Sequence, residues 1–378
     1  MIFVIYSIMY LYIKKLQISI ISLLILLFSA CSSKSVKIDF TQDEIIDYSY
    51  SPLIKAFENY LNESNFQGAV LFANKKSVIF AKGFGVCDSK ATEKTPITIN
   101  STFEIGSITK QITAAAIMQL AENQKLSVNE TLEKYFPSFP YNKEITIEML
   151  LNMRSGLTDC LNSTVSFFPE KIAKEIEANT IANKPLEKEI ILKYLDSAPL
   201  FLEPGSNYFY CNTNYYLLAK IIEQVTGLAY DDYVQQNIFN PCKMSATNTV
   251  FQKTDTRGYD WKGRYYSIPD EFSSGYGNIN SSVVDLYKWT KAFTGGKVVK
   301  KKTLRQMIDT ESYGYGINYQ NGEMFHAGIT SVFNSMCLYY PQEKITIIVL
   351  INKPVYTQNA ATISRELYNI YKNQYLIQ

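Results

Sequence analysis

The fold of this chain is indicated first by one stretch, Phe103-Glu104-Ile105-Gly106-Ser107-Ile108-Thr109-Lys110, and by the segment that follows it. Residues 111–122 are rich in strong helix formers, with apolar side chains over most of the surface, which predicts a buried helix ending at Asn123. If the helix begins at Ser107, the side chains of Ser107 and Lys110 lie on one face, one turn apart. Burial would lower the pKa of Lys110, which makes it a candidate base for a serine nucleophile. On spacing alone, however, a serine at a helix start is most often an N-cap.

The composition is that of a folded protein with one large domain or two ordinary ones. Of its 378 residues, 47% are hydrophobic and 19% are charged, which is enough for a packed core. The net charge of +2 and the lack of a dense basic cluster argue against nucleic acid as a partner. The single histidine, His326, excludes a multi-histidine metal site, and any Ser-His-Asp hydrolase would have to use it. We expect neither a bound metal nor a cofactor.

Residues 1–30 resemble a bacterial lipoprotein signal peptide. A basic pair, Lys14-Lys15, precedes an apolar segment at 18–28, and two small residues then lead to Cys31. Cys31 is therefore the predicted lipidation site. The other five cysteines are scattered along the chain, with no C-x-x-C pair among them. A disulfide framework is therefore not expected, and a single disulfide bond is left as an open alternative.

The polar residues 31–50 are predicted to be a tether between this segment and the folded domain. Two alternatives stay open for the N-terminus: a plain transmembrane anchor, and translation starting at Met9 rather than Met1. In either case the domain is expected to face the outside of a membrane in a bacterial cell envelope, on the periplasmic side or on the outer membrane.

Strand-like segments lie at both ends of the domain, and helical segments lie between them. Residues 68–73 and 77–85 have the pattern of a hairpin, and 335–340 and 345–351 that of a second strand pair. Helices are predicted at 54–61, 129–135, 147–152, 187–195, 214–224, 230–238, 283–293 and 360–371, with Thr146 and Thr213 as caps and Pro241 as a stop.

These elements predict an α+β fold over residues 51–378. The strands from the two ends would form one antiparallel sheet flanked by helices, and a mostly helical lobe, about 107–265, would be inserted into it. A cleft between two such lobes is a natural ligand site.

Two further segments carry residue types suited to catalysis. Tyr210-Cys211-Asn212 precedes a predicted helix, and a tyrosine close to a lysine ammonium would have a lowered pKa and could relay protons. His326-Ala327-Gly328 lies just before the strand at 335–340. Taken singly, Tyr210 is explained as a half-buried aromatic residue and His326 as a structural histidine.

Together, Ser107-x-x-Lys110, Tyr210-x-Asn212 and His326-x-Gly328 resemble the three motifs of the serine β-lactamase and penicillin-binding-protein superfamily. The Tyr-x-Asn form is similar to the class C branch, which also holds DD-peptidases, D-aminopeptidases and esterases. The resemblance runs from about Leu53 to the C-terminus. It includes the segments 66–71, 103–110, 125–128, 150–151, 155–157, 203–205, 212–215 and 281–286.

The resemblance implies a role for each motif residue. Ser107 would be the acylated nucleophile, and Lys110 and Tyr210 would take its proton and protonate the leaving group. Asn212 would bind Lys110 and the substrate amide. The backbone N–H groups of Ser107 and Ile329 would form the oxyanion hole.

The sequence departs from the family pattern in three places. His326 stands where the third motif often has lysine; being only partly charged near neutral pH, it would hold a substrate carboxylate less constantly, which disfavours an efficient β-lactamase. Met153-Arg154 replaces a frequent His-Thr pair, and the usual second glycine before Phe333 is missing. Gly328 is retained and would let its strand lie close to the substrate.

We therefore expect an envelope serine hydrolase that acts through an acyl-serine intermediate on a D-amino-acid peptide, an ester or a β-lactam. The alternative is a catalytically weak module that binds or senses cell-wall peptide. The presence of Ser107, Lys110, Tyr210 and Asn212 together favours the enzyme. The expected partners are a small-molecule or peptide substrate and the membrane, through the lipid anchor, and the protein is expected to be a monomer.

Overall fold

The computed structural model describes residues 38–159, 199–250, 253–265, 273–310 and 312–376. The chain divides into a unit that ends at Asp39 and a compact unit, Phe40–Gln378. The predicted signal peptide, Cys31 and the predicted helix at 187–195 lie outside the described residues. In the part of the chain that is described, no helix combines the length and apolar character needed to cross a membrane.

As the sequence predicts, most described strands lie towards the two ends of the domain, and helices occupy the middle. Strands β1 to β9 are Ile45–Ile46, Gly68–Ala73, Val78–Phe84, Phe103–Glu104, Asn280–Ser281, Asn318–Gln320, Glu323–Ile329, Asn334–Tyr340 and Ile345–Ile351. Helices α1 to α9 are Ser51–Glu63, Thr109–Glu122, Ile147–Leu151, Asn212–Thr226, Tyr230–Val234, Asn240–Cys242, Val283–Thr294, Lys301–Ile308 and Ala360–Tyr375. Single turns of 3-10 helix are Tyr48–Tyr50, Gly106–Ile108 and Leu132–Lys134, and a π-helical turn, Gln235–Phe239, joins α5 to α6.

The central sheet joins strands from the two ends of the domain. Among the described residues it has seven strands in the order β1-β3-β2-β9-β8-β7-β6, and every neighbouring pair is antiparallel. The link between the ends is the pairing of β2 with β9, with Ala69 opposite Leu350. β9 is central because it is a run of β-branched and aliphatic residues, all of them buried. The predicted α+β fold is confirmed.

Helices α1 and α9 cover one face of this sheet. In α1 the buried residues Leu53, Phe57 and Leu61 recur at four-residue spacing, so they form one stripe. They pack in a single core with alternate residues of β2, Val70 and Phe72, because successive side chains of a strand point to opposite faces. Helix α7 packs against β2 and β9.

The folded part begins before the end of the predicted tether, which was expected to extend to residue 50. Ile45–Ile46 pairs with β3 as an edge strand, and the side chain of Asp47 caps the following turn by accepting from the Ser49 N–H. The apolar pair Ile45-Ile46 can bury side chains against the sheet, which a tether of polar residues cannot do.

Three predicted helix details are wrong. Only Leu132–Lys134 of the segment 129–135 is helical, as one 3-10 turn. Helix α4 begins at Asn212 with Cys211 as its N-cap, so Thr213 lies inside the helix. Pro241 lies in α6, which continues directly from the π-helical turn, and the chain instead leaves the helix at Lys243.

Candidate active site

Ser107 and Lys110 lie where the 3-10 turn Gly106–Ile108 runs into α2. Helix α2 begins at Thr109 rather than at Ser107, and its N-cap residue is Ile108, so Ser107 does not cap it. The two side chains nevertheless meet, with 2.9 Å between Lys110 Nζ and Ser107 Oγ. The serine hydroxyl is therefore not used by the helix and is in contact with an amine.

Lys110 is fully buried, and its pKa is lowered to about 7. Burial is the main cause, because it disfavours the ammonium form, and the nearby carboxylate of Asp159 opposes it. About half of the Lys110 side chains are therefore uncharged at neutral pH and able to accept a proton. The prediction of a lysine with a burial-lowered pKa agrees with this environment.

The hydrogen bonds of Lys110 leave the lone pair of its uncharged amine directed at Ser107. Its Nζ lies 2.8 Å from Asn212 Oδ1 and 3.1 Å from the Tyr276 carbonyl oxygen. Both oxygens can only accept, so they take the two N–H bonds of the neutral amine. The lone pair is then left for the proton of the Ser107 hydroxyl, which is the arrangement a general base needs.

Asp159 holds Asn212 in the orientation that this arrangement requires. Its carboxylate accepts from the Asn212 backbone N–H at 3.0 Å and from Nδ2 at 3.3 Å. Since Nδ2 donates to Asp159, Oδ1 is the amide atom that faces Lys110. The sequence motifs assign no role to Asp159; the available signal was a carboxylate two residues after the Ser155-Gly156-Leu157 segment.

Tyr210 lies in the residues before α4, and its hydroxyl is hydrogen-bonded to that of Ser107. Its ring is also close to Lys110, whose Nζ lies 4.9 Å from the ring centroid. The expectation that the lysine lowers the pKa of Tyr210 is wrong: burial raises this pKa. The hydroxyl therefore keeps its proton at neutral pH, and it can donate that proton but is a poor base.

The third motif lies on β7 beside the turn that holds Ser107. β6 pairs with β7 no further than Phe325, so residues 326–329 do not pair with β6. A Cβ on Gly328 would lie 1.9 Å from the carbonyl oxygen of Ile105, so only glycine allows this contact. Gly328 thus brings β7 against the chain that leads into Ser107, and its expected second role, letting the strand lie close to a substrate, stays a prediction. The backbone nitrogen of Ile329 lies close to the turn that holds Ser107, because a Cβ built on Gly106 would be 3.1 Å from it.

His326 is buried and uncharged, contrary to the sequence expectation of a partly charged ring. Its pKa is lowered to about 3, mainly by burial and also by the charge of Lys110. Nδ1 lies 2.6 Å from the Ala327 carbonyl oxygen, and Nε2 lies 2.7 Å from the Tyr313 hydroxyl. Tyr313 was not among the predicted site residues, and its place in the aromatic-rich segment Tyr313-Gly314-Tyr315 is the only sequence signal for it.

The Met153-Arg154 pair positions the start of α4. The Met153 sulfur is 3.4 Å from both the Cys211 N–H nitrogen and Asn214 Nδ2, and both groups donate to it. Arg154 donates to the carbonyl oxygens of the turn at Gly205 and Ser206. Met153 and Arg154, which depart from the family pattern, therefore hold the chain on either side of Tyr210.

Within the ranges that the structure describes, no group of three or more histidine, cysteine or acidic side chains is arranged to hold a metal ion. The described site offers a serine hydroxyl, a lysine amine with a lowered pKa and a protonated tyrosine.

Comparison with known proteins gives matches over most of the chain. The sequence profile of the beta-lactamase family matches residues 53–368. Penicillin-binding protein 4* of Bacillus subtilis is 28% identical over 330 residues, which cover 79% of this chain and 70% of that protein.

Solved structures agree with the sequence matches. The octameric penicillin-binding protein homologue from Pyrococcus abyssi superposes with a TM-score of 0.68 at 26% identity, over 85% of this chain and 76% of that one. The D-amino acid amidase from Ochrobactrum anthropi SV3, solved with D-phenylalanine, superposes with a TM-score of 0.73 at 20% identity, over 85% of this chain and 99% of that one. At this identity the similarity establishes a shared fold and nothing about activity. Because the Pyrococcus protein is octameric, a monomer stays a prediction here.

Proposed function

The chain belongs to the beta-lactamase family of serine hydrolases, and we propose that it hydrolyses a small amide or ester through an acyl-serine intermediate on Ser107. The class C type of site, with Tyr210 in the second motif, is part of this proposal. So is a place in the bacterial cell envelope, with Cys31 as the lipid-bearing residue.

One observation carries the proposal: Ser107 Oγ lies 2.9 Å from the Nζ of a buried lysine whose N–H bonds are directed to Asn212 and the Tyr276 carbonyl. The lone pair of Lys110 can take the serine proton as Oγ attacks the substrate carbonyl carbon. The negative charge on the carbonyl oxygen would be bound by the N–H groups of Ser107 and Ile329.

The leaving group needs a proton, and Tyr210 is placed to give one. Its hydroxyl is protonated at neutral pH and is hydrogen-bonded to Ser107. As the tyrosine donates to the leaving group, the Lys110 ammonium can return a proton to it. Water then takes the place of the alcohol or amine, and the same proton transfers run in reverse to release the acid.

Covalent labelling tests the proposal directly. We expect a fluorophosphonate probe to label the purified domain, Ser107→Ala to abolish the labelling, and the exposed control Ser206→Ala to keep it. Lys110→Met should lower the labelling rate by about 100- to 10,000-fold, which is the usual contribution of a positioned general base.

Two other outcomes would change the conclusion. A folded domain that takes no label, or that still labels in Ser107→Ala, would refute the proposed nucleophile. Labelling of Ser107 together with no release of product from any ester, amide or β-lactam tested would favour the weak binding module instead.

A further inference from the structure

The hydrogen bonds around His326 assign its tautomer. The Ala327 carbonyl oxygen can only accept, so the proton of the neutral ring is on Nδ1. Nε2 is then an acceptor, and its partner at 2.7 Å, the Tyr313 hydroxyl, must donate to it. The ring therefore has no N–H left, and the Tyr313 hydroxyl has used its only proton.

Tyr313 is held in this position by the chain around it. The next residues are anchored by backbone hydrogen bonds, at 2.9 Å from the Gly314 nitrogen to the Ile317 oxygen and at 2.8 Å from the Tyr315 nitrogen to the Met307 oxygen. Gly316 packs so tightly on the Lys110 carbonyl that a Cβ there would lie 2.4 Å from the oxygen. The segment that carries Tyr313 is thus fixed to the helix that carries the lysine.

This pair of side chains determines what can bind beside it. A substrate carboxylate at the third motif would lose its water and meet no side-chain N–H or O–H from His326 or Tyr313 in exchange, so this pair would not compensate its desolvation. A neutral amide or ester group carries no such cost. Two exposed side chains lie next to this pair: Ile329, on the same strand as His326, is exposed by 56%, and Tyr208, whose ring centroid lies 6.0 Å from that of Tyr313, is exposed by 44%.

We propose that the His326–Tyr313 hydrogen bond makes this site select substrates whose leaving group has no free carboxylate, so that neutral esters and amides are preferred over peptides with a free C-terminal carboxylate. Tyr313 acts through His326 and is therefore a specificity-determining positioning residue. The inference rests on the proposed acyl-serine function and narrows its substrate class.

A matched pair of substrates tests it. N-benzoyl-D-alanyl thioglycolic acid and its thioglycolamide share the scissile thioester and differ only in the leaving-group carboxylate. We expect kcat/KM for the amide to exceed that for the acid by at least about tenfold, in line with an unpaired buried polar group. Each compound is also measured as a competitor of fluorophosphonate labelling, so that slow turnover does not hide a preference.

Variants separate a specific role from a structural one. Tyr313→Phe frees Nε2 to take a proton, and we expect the amide-to-acid ratio to fall several-fold; His326→Lys should favour the acid. Tyr340→Phe is a matched control, because its hydroxyl binds Glu323 instead, and should leave the ratio unchanged. A merely structural role of Tyr313 would slow both substrates equally.

The possible failures are distinguishable. No fluorophosphonate labelling of Ser107 would overturn the proposed function itself. Labelling that proceeds normally, with equal use of both substrates or a preference for the acid in turnover and in competition, would overturn the selectivity alone.

Discussion

The acylation rate should follow the protonation state of Lys110. With the lysine pKa lowered to about 7, the uncharged fraction falls from about 90% at pH 8 to about 1% at pH 5. If the uncharged amine takes the serine proton, the rate constant for fluorophosphonate labelling should decrease by about 90-fold over this interval. Stopped samples analysed by gel fluorescence measure this rate, and far-UV circular dichroism checks that the fold persists at each pH.

The structure assigns this pH dependence to one group. The pKa of His326 is lowered to about 3 and that of Tyr210 is raised, so neither side chain changes charge between pH 5 and 8. Asp159 supplies a second perturbation, because its carboxylate raises the pKa of Lys110. In Asp159→Asn the midpoint of the profile should therefore move to lower pH. The test uses the midpoint pH of the profile and not its maximal rate, because Asp159 also orients Asn212 and its replacement changes that rate as well.

Three results would refute this reasoning. A profile that is flat from pH 5 to 8 would mean that the lysine is not the base. A midpoint above pH 9 would mean that burial does not lower its pKa. A midpoint near 6.5 that disappears in His326→Gln and is unmoved in Asp159→Asn would assign the titration to the histidine.

The packing of the site gives two further predictions. Gly328→Ala should lower the free energy of unfolding in urea by about 1–3 kcal/mol and slow labelling, because the added Cβ would overlap the Ile105 carbonyl. Gly277→Ala is the control: its Cβ would lie 3.8 Å from the nearest atom, so neither the stability nor the labelling rate should change. Met153→Leu should lower the free energy of unfolding by about 1–2 kcal/mol, because it removes the acceptor of two buried donors. The buried control Met307→Leu should lower it less. Equal losses in the two variants would show that the Met153 sulfur does not act as an acceptor.

Much of the fold follows from local patterns. The strands of the two hairpins and helix α7 are predicted nearly to their ends, because hydrophobic periodicity and turn residues act over a few positions. The start of α9 is predicted as well, but this helix runs four residues beyond its predicted end at residue 371. The pairing of Ser107 with Lys110 is local too, since one helical turn separates them. The sheet order is less local, yet strands at both chain ends with helices between them leave few compact arrangements.

Two of the errors in the predicted elements occur at helix boundaries. Thr213 and Pro241 are residues typical of helix boundaries, and both lie inside helices. For Thr213 the cause is a distant partner: Cys211 takes the cap position, and its N–H is bound by Met153, which is 58 positions away. Local propensity cannot include such a partner.

The chemical state of the site was decided by the tertiary structure. The sequence by itself determined which residue types meet: a serine, a lysine, a tyrosine, an asparagine and a histidine in three motifs. It did not determine that Tyr210 stays protonated, that His326 is uncharged, or that Asp159 and Tyr313 orient their neighbours. These properties depend on burial and on hydrogen bonds between residues far apart in the chain, such as Lys110 and the Tyr276 carbonyl, 166 positions apart. A pKa reflects the water that a group has lost and the partners it has gained, and both exist only once the chain is folded.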